Sequence, residues 1–193
     1  MDLVISTLVI DMIYTGIGSR ETPREIGVIM TDFAKMASAQ GLILRSGGAP
    51  GADTFFEIGA NENLREIYLP WKGFNGNASP LFNVSYDTPE KEKEIARRFH
   101  PAWRNLTPAG KKLMVRNVYQ VLGKDLETPS DFVVCWAPTK KIDKNGAILD
   151  VNGGTGLAVR LAVHHGIPVY NLENTAHREF IIQKINSKDF TVF

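Results

Sequence analysis

Short apolar runs recur along this chain with helical patterns between them, and that alternation constrains the fold more than any other feature of the sequence. The runs are Met12-Ile13-Tyr14-Thr15, Leu42-Ile43-Leu44, Glu66-Ile67-Tyr68-Leu69, Phe132-Val133-Val134-Cys135 and Pro168-Val169-Tyr170. Apolar stretches of this length, bounded by glycine, read as strands buried on both faces. The segments between them, at 24–40, 53–61, 111–122 and 156–165, carry helical patterns; in the first, the apolar positions are Ile26, Ile29, Met30, Phe33 and Met36. Strand followed by helix, repeated, calls for parallel strands joined by right-handed crossovers. The expected class is α/β: a Rossmann-like three-layer fold with a mostly parallel central sheet.

The chain has 193 residues, 44% of them hydrophobic and 22% charged. A chain of that size and composition builds one real core, so a single domain over 1–193 is expected and disorder is excluded. Two stretches break the rhythm. Residues 73–110, with the charged run Thr88-Pro89-Glu90-Lys91-Glu92-Lys93-Glu94 and then His100-Pro101-Ala102-Trp103, read as an insertion over one sheet edge. Residues 138–152, rich in Lys140, Lys141, Asp143, Lys144 and Asp150, read as a mobile loop.

The opening MDLVISTLVIDMIY is too short to span a bilayer and lacks a basic leader, so it reads as a first strand with an extension, and Met12 offers a second start. No membrane partner is expected, and the location is cytoplasmic. Cys135 is the lone cysteine and sits in an apolar run, which makes it a core thiol. A net charge of +1 excludes a global basic field for nucleic acid and leaves only a local patch.

Three glycine-rich turns follow strands and precede helices, which places them on one carboxyl edge of a parallel sheet, where ligands bind. The first carries Gly16, Gly18, Ser19 and Arg20. The second is Ser46-Gly47-Gly48-Ala49-Pro50-Gly51-Ala52-Asp53, and the third is Asn152-Gly153-Gly154-Thr155-Gly156. Glycine admits a ligand close to the backbone, and free N–H groups at a helix start favour an anion, so the three together point to a nucleotide or another phosphate. Asp53 reads equally as a helix N-cap. A Walker motif and the Gly-x-Gly-x-x-Gly fingerprint are both missing, which disfavours ATP hydrolysis and NAD chemistry.

The combination of Gly-Ser-Arg, Ser-Gly-Gly-Ala-x-Gly-Ala-Asp, Arg116-Asn117 ahead of Ser130-Asp131, and Gly153-Gly154-Thr155-Gly156 resembles the SLOG superfamily. That superfamily includes the lysine-decarboxylase-like phosphoribohydrolases, the DNA-processing protein A group and the YspA-type proteins. The resemblance spans Met12 to about Leu172 and is nearest to bacteriophage proteins described as DprA-like. It implies that the second and third turns hold the phosphate and sugar of a nucleotide-like ligand. It also implies that Arg116 stands where the phosphoribohydrolases carry an arginine acting with a glutamate. Here Leu157 replaces that motif's threonine and Arg160 takes the glutamate's place, so the catalytic pair is incomplete. In the YspA-type proteins a Pro-x-x-Trp segment precedes the arginine-asparagine pair, which brings Trp71 to the ligand side.

The leading expectation is therefore a phage-type protein that senses or sequesters a nucleotide or nucleotide-derived small molecule and works as a homo-oligomer, with no cofactor and no metal. The rival is hydrolysis of a nucleotide or nucleoside N-glycoside, with Arg116, Asp53 and Glu57 as candidate catalytic residues. Ranked third is a DprA-like mediator binding single-stranded DNA, whose basic groove would draw on Arg97, Arg98, Arg104, Lys111, Lys112 and Arg116. Trp103 and His100 are then candidates to stack on a base and donate to phosphate. A structural alternative for Arg116 is an ion pair with Asp131, and for His164-His165 a helix-terminal role.

Overall fold

The computed structural model of the chain describes residues 12–82 and 90–193. In order, the elements are β1 (Ile13–Gly18), α1 (Arg24–Ala39), β2 (Ile43–Ser46), α2 (Ala52–Gly59), β3 (Arg65–Ile67), α3 (Glu90–Phe99) and α4 (Pro108–Leu122). Then come β4 (Phe132–Trp136), β5 (Thr139–Ile142), β6 (Ile148–Val151), α5 (Thr155–His164), β7 (Val169–Asn171) and α6 (Thr175–Ser187). Most of the opening MDLVISTLVIDMIY stretch, and Thr88 and Pro89 of the charged run, lie outside the described residues.

Five strands form one sheet in the order β3-β2-β1-β4-β7, and every neighbouring pair is parallel. The fold is α/β and Rossmann-like. Successive side chains of a strand point to opposite faces, and the chain exploits this to build two cores. Tyr14, Leu44, Phe132 and Val134 face the helices α1, α2 and α6, while Ile17, Val133 and Cys135 face α4 and α5. Tyr14 stacks on Phe132 at a ring distance of 5.7 Å and meets the edge of Phe33 at 5.4 Å. The helix α1 starts behind Pro23 and buries Ile26, Met30, Phe33, Ala34 and Ala37, an i, i+4, i+7 stripe. The helix α4 opens on Thr107, whose hydroxyl accepts from Gly110 N at 3.0 Å, with Pro108 in its first turn.

The sheet reverses its strand order between β1 and β4. From β1 the chain winds outward through β2 to β3, then returns to lay β4 and β7 on the other side, so a crevice opens beyond the carboxyl ends of β1 and β4.

Two expectations change. The segment 138–152, read as a mobile loop, contains the antiparallel hairpin β5–β6. Asp143 turns it by accepting from Asn145 N and Ala147 N, each at 2.8 Å. The hairpin is fastened to the body by the ion pair of Asp150 with Arg160 on α5 and by Asn171 Nδ2, which donates to Ala137 O at 2.8 Å. The insertion divides in two. Its first part runs beside the sheet edge, where Leu69 N donates to Leu81 O at 2.7 Å; α3 instead packs on α4 and α5. Among the described residues, no helix is long and apolar enough to cross a membrane.

Candidate functional site

The crevice at the strand reversal is a cleft of about 500 Å³. Five pieces of chain enclose it: the end of β1 with Ser19, Arg20 and Glu21; Ala49 and Asp53 before and in α2; the inner face of α4; Pro138 after β4; and the turn Asn152 to Thr155 leading into α5. Ten residues singled out in the sequence meet here: Gly18, Ser19, Arg20, Ala49, Asp53, Arg116, Asn117, Gly153, Gly154 and Thr155.

Backbone hydrogen bonds lock these pieces together. Ser19 N donates to Trp136 O at 2.8 Å, and Ser19 O accepts from Ala52 N at 3.2 Å, which joins the first turn to β4 and to the start of α2. Gly51 sits at φ +82, and a Cβ there would lie 2.5 Å from Ser19 O and 2.6 Å from Arg20 Cα. Only glycine fits where these two turns touch. Asn117 Nδ2 donates to Gly154 O at 3.0 Å, tying α4 to the third turn.

The floor of the cleft holds a buried ion pair. Arg116 Nη1 lies 3.2 Å from Asp53 Oδ2, with both side chains almost fully enclosed, and it also donates to Gly47 O at 2.5 Å. Asp53 Oδ2 accepts from Ala49 N at 3.3 Å as well. Burial raises the Asp53 carboxyl above its ordinary range, while the guanidinium and the Ala49 N–H pull it back down. A Cβ on Gly47 would collide with Arg116 Nη1, so this glycine lets the guanidinium reach the backbone. Asp131 is not the partner of Arg116. Its carboxylate accepts from Ile13 N at 2.7 Å, at the other end of β1.

Two donors in this floor have no partner: Arg116 Nε and Gln120 Nε2, both buried and both on residues lining the cleft. Gln120, 1% exposed, is not among the sequence candidates. Its signal is there, because Arg116, Asn117 and Gln120 at i, i+1 and i+4 put three polar side chains on one face of a helix that is otherwise apolar there. Ile17, Leu113 and Met114 supply an apolar wall that the sequence reading also misses.

Other candidates lie elsewhere. Gly16 belongs to β1, where a Cβ would meet Phe56 and Leu44 within 2.8 Å, so it packs the core and makes no turn. Ser46 ends β2 and donates its hydroxyl to Gly16 O at 2.7 Å. Gly156 is pressed against Val151 O. Gly48 and Glu57 line a second cavity of about 840 Å³, where Asn77 Nδ2 donates to both Glu57 oxygens at 2.8 and 3.1 Å. Trp71 is exposed and meets the edge of Phe74 at 5.0 Å, outside the cleft lining. Arg160 is occupied by Asp150 and by Phe99 O, to which its Nε donates at 2.8 Å. Cys135 is fully buried, and burial pushes its thiol up to about 12. No group of three or more His, Cys, Asp or Glu side chains suited to a metal ion occurs among the described residues.

No family model and no curated protein matches the chain. Among solved structures, the chain is similar to DNA processing protein A from Helicobacter pylori, studied for its single-stranded DNA binding mode. The match has a TM-score of 0.52 and 15% identity, and it covers 95% of this chain and 84% of that one. At that identity, the likeness establishes a shared fold.

Proposed function

We propose that the chain binds a nucleotide or nucleotide-derived phosphate ligand in the cleft at the strand reversal, and senses or sequesters it without turning it over. The observation that carries this reading is the pair of buried, unpartnered donors, Arg116 Nε and Gln120 Nε2, in the cleft floor. An unmade hydrogen bond at a buried donor costs about 1–3 kcal/mol, and an acceptor on a bound ligand recovers it. The turn Gly153 to Thr155 opens α5, whose N-terminus favours an anion, and Arg20 stands exposed at the mouth. The apolar wall of Ile17, Leu113 and Met114 suits the flat body of a base.

Hydrolysis is the weaker reading. Glu57 faces another cavity, Asp150 is tied to Arg160, and Asp53 is engaged by Arg116, so none of these carboxylates stands ready to activate water. The test is mass spectrometry of ligand released by denaturing the purified protein, followed by calorimetry with the nucleotide it identifies. A protein that carries no nucleotide and gives no heat with a full nucleotide panel overturns the proposal.

A second reading, binding of single-stranded DNA, is favoured by the likeness to DNA processing protein A. It ranks lower because the fold alone is shared and folds host many functions.

A further inference from the structure

The sequence holds three Asn–Gly pairs, Asn75-Gly76, Asn145-Gly146 and Asn152-Gly153, and the fold treats them differently. An asparagine before glycine is open to attack on its side-chain carbonyl by the next backbone nitrogen, because a residue without a Cβ leaves that nitrogen unhindered. All three asparagines are exposed, and a Cβ on any of the three glycines would meet nothing within 4 Å. Steric access is therefore equal, and what separates the pairs is the hydrogen bonding of the reacting groups.

Gly76 N donates to Gly73 O at 3.1 Å, and Asn75 Nδ2 donates to Gly48 O at 3.1 Å. Gly146 N donates to Asp143 O at 3.2 Å inside the hairpin turn. Gly153 lies between β6 and α5, and neither its N–H nor the Asn152 side chain makes a hydrogen bond among the described residues. Asn152 N is anchored on Pro138 O at 2.9 Å, so the residue is held in place while its reactive ends are free. The pair also sits just ahead of α5. The positive end of a helix favours loss of a proton from a neighbouring N–H and stabilises the oxyanion that forms on attack.

We propose that Asn152 is a site of self-modification by deamidation. The deprotonated Gly153 N attacks Asn152 Cγ, and the side-chain nitrogen, protonated by water, leaves as ammonia to give a cyclic succinimide. Water then adds to either ring carbonyl and opens the ring, to aspartate by one route and isoaspartate by the other. Overall a water molecule enters and ammonia leaves, with no oxidation or reduction.

The consequence falls on the cleft, which Asn152 lines, and this part rests on the nucleotide reading of that cleft. Either product puts a carboxylate beside the turn that would receive an anion, and the start of α5 attracts that carboxylate as it attracts a phosphate. Isoaspartate also lengthens the main chain between Asn152 N, fixed on Pro138 O, and Gly154 O, fixed by Asn117. Age alone then turns an anion-accepting turn into an anion-repelling one.

The experiment follows the full chain by peptide mass spectrometry over days in mildly alkaline buffer, native and in urea. In the native protein the peptide holding 152–153 gains about one mass unit several-fold faster than those holding 75–76 and 145–146, and in urea the three rates converge. Asn152→Gln, whose longer side chain disfavours ring closure, gains none there. Calorimetry with nucleoside monophosphates reads the cleft separately. Aged wild type and fresh Asn152→Asp bind about tenfold more weakly than fresh wild type, while the affinity of Asn152→Gln does not change on ageing. The proposal is overturned if the native 152–153 pair reacts no faster than the other two, or if its lead persists in urea. Fresh wild type that binds no nucleotide would sink the cleft reading, and the mass data would still decide the modification.

Discussion

Arg116 on α4 reaches across the cleft floor to Asp53 on α2, with its Nη1 held 3.2 Å from the carboxylate and 2.5 Å from the carbonyl of Gly47. One side chain therefore joins two helices and the glycine turn between β2 and α2.

Removing one partner of a buried pair strands the other charge, so Arg116→Ala is expected to cost about 3–5 kcal/mol of stability in urea unfolding. Asp53→Asn with Arg116→Met should cost less than the sum of the two single changes, by about 0.5–3 kcal/mol. Strict additivity would show that the two groups do not act as a pair.

The glycines of the site separate into two kinds. Gly47→Ala puts a methyl group onto Arg116 Nη1 and should cost about 1–3 kcal/mol. Gly154 lies at φ −64 with only the flexible end of Met114 near its Cβ position, at 3.1 Å. Gly154→Ala should change stability by less than about 1 kcal/mol and lower nucleotide affinity. Thermal unfolding and calorimetry on both variants check this, and a stable Gly47→Ala would contradict the geometry.

Arg20 is exposed at the mouth of the cleft, so Arg20→Ala should leave unfolding unchanged while weakening a phosphate-bearing ligand by about 1.5–3 kcal/mol. The matching nucleoside should lose little. Equal losses for both would move the phosphate away from Arg20.

Because Arg160 is committed to Asp150 and Phe99 O, nucleoside monophosphates incubated with excess protein should release no free base by chromatography. Rapid release that disappears in Asp53→Asn would assign the missing carboxylate to α2, since acid–base assistance is worth about 10²–10⁴-fold.

Cys135 is enclosed between the sheet and α4–α5, and its thiol is pushed up to about 12. It should resist a thiol reagent at pH 8 in the native protein and react at once in denaturant, because the thiolate is the reactive form. Fast native labelling would show that this core opens.

The layers of this fold are legible because β4 is an unbroken apolar run and α1 carries its apolar residues at helical spacing. The hairpin β5–β6 is not, because its strands are only four residues long and β5 is mostly polar, and its order comes from Asp143, Asp150 and Asn171, which are fixed by tertiary interactions. Gly16 reads as part of a turn because glycine looks the same in a sequence whether it admits a ligand or, as here, the ring of Phe56. Of the site, Arg116, Asn117 and the third turn stand out by type and spacing. Gln120 carries a signal only in its i+4 spacing from Arg116, because a polar residue in a helix otherwise reads as solvent-facing until the surrounding burial is known.

The turn from Asn152 to Thr155 is braced from both ends. Behind it, Asp150 is gripped by Arg160, and ahead of it Gly154 O receives Asn117 Nδ2. A molecule arriving in the cleft meets backbone N–H groups whose arrangement was settled when the protein folded. Its association should then proceed with little ordering entropy and a rate set by diffusion and orientation, with no slow rearrangement of the turn.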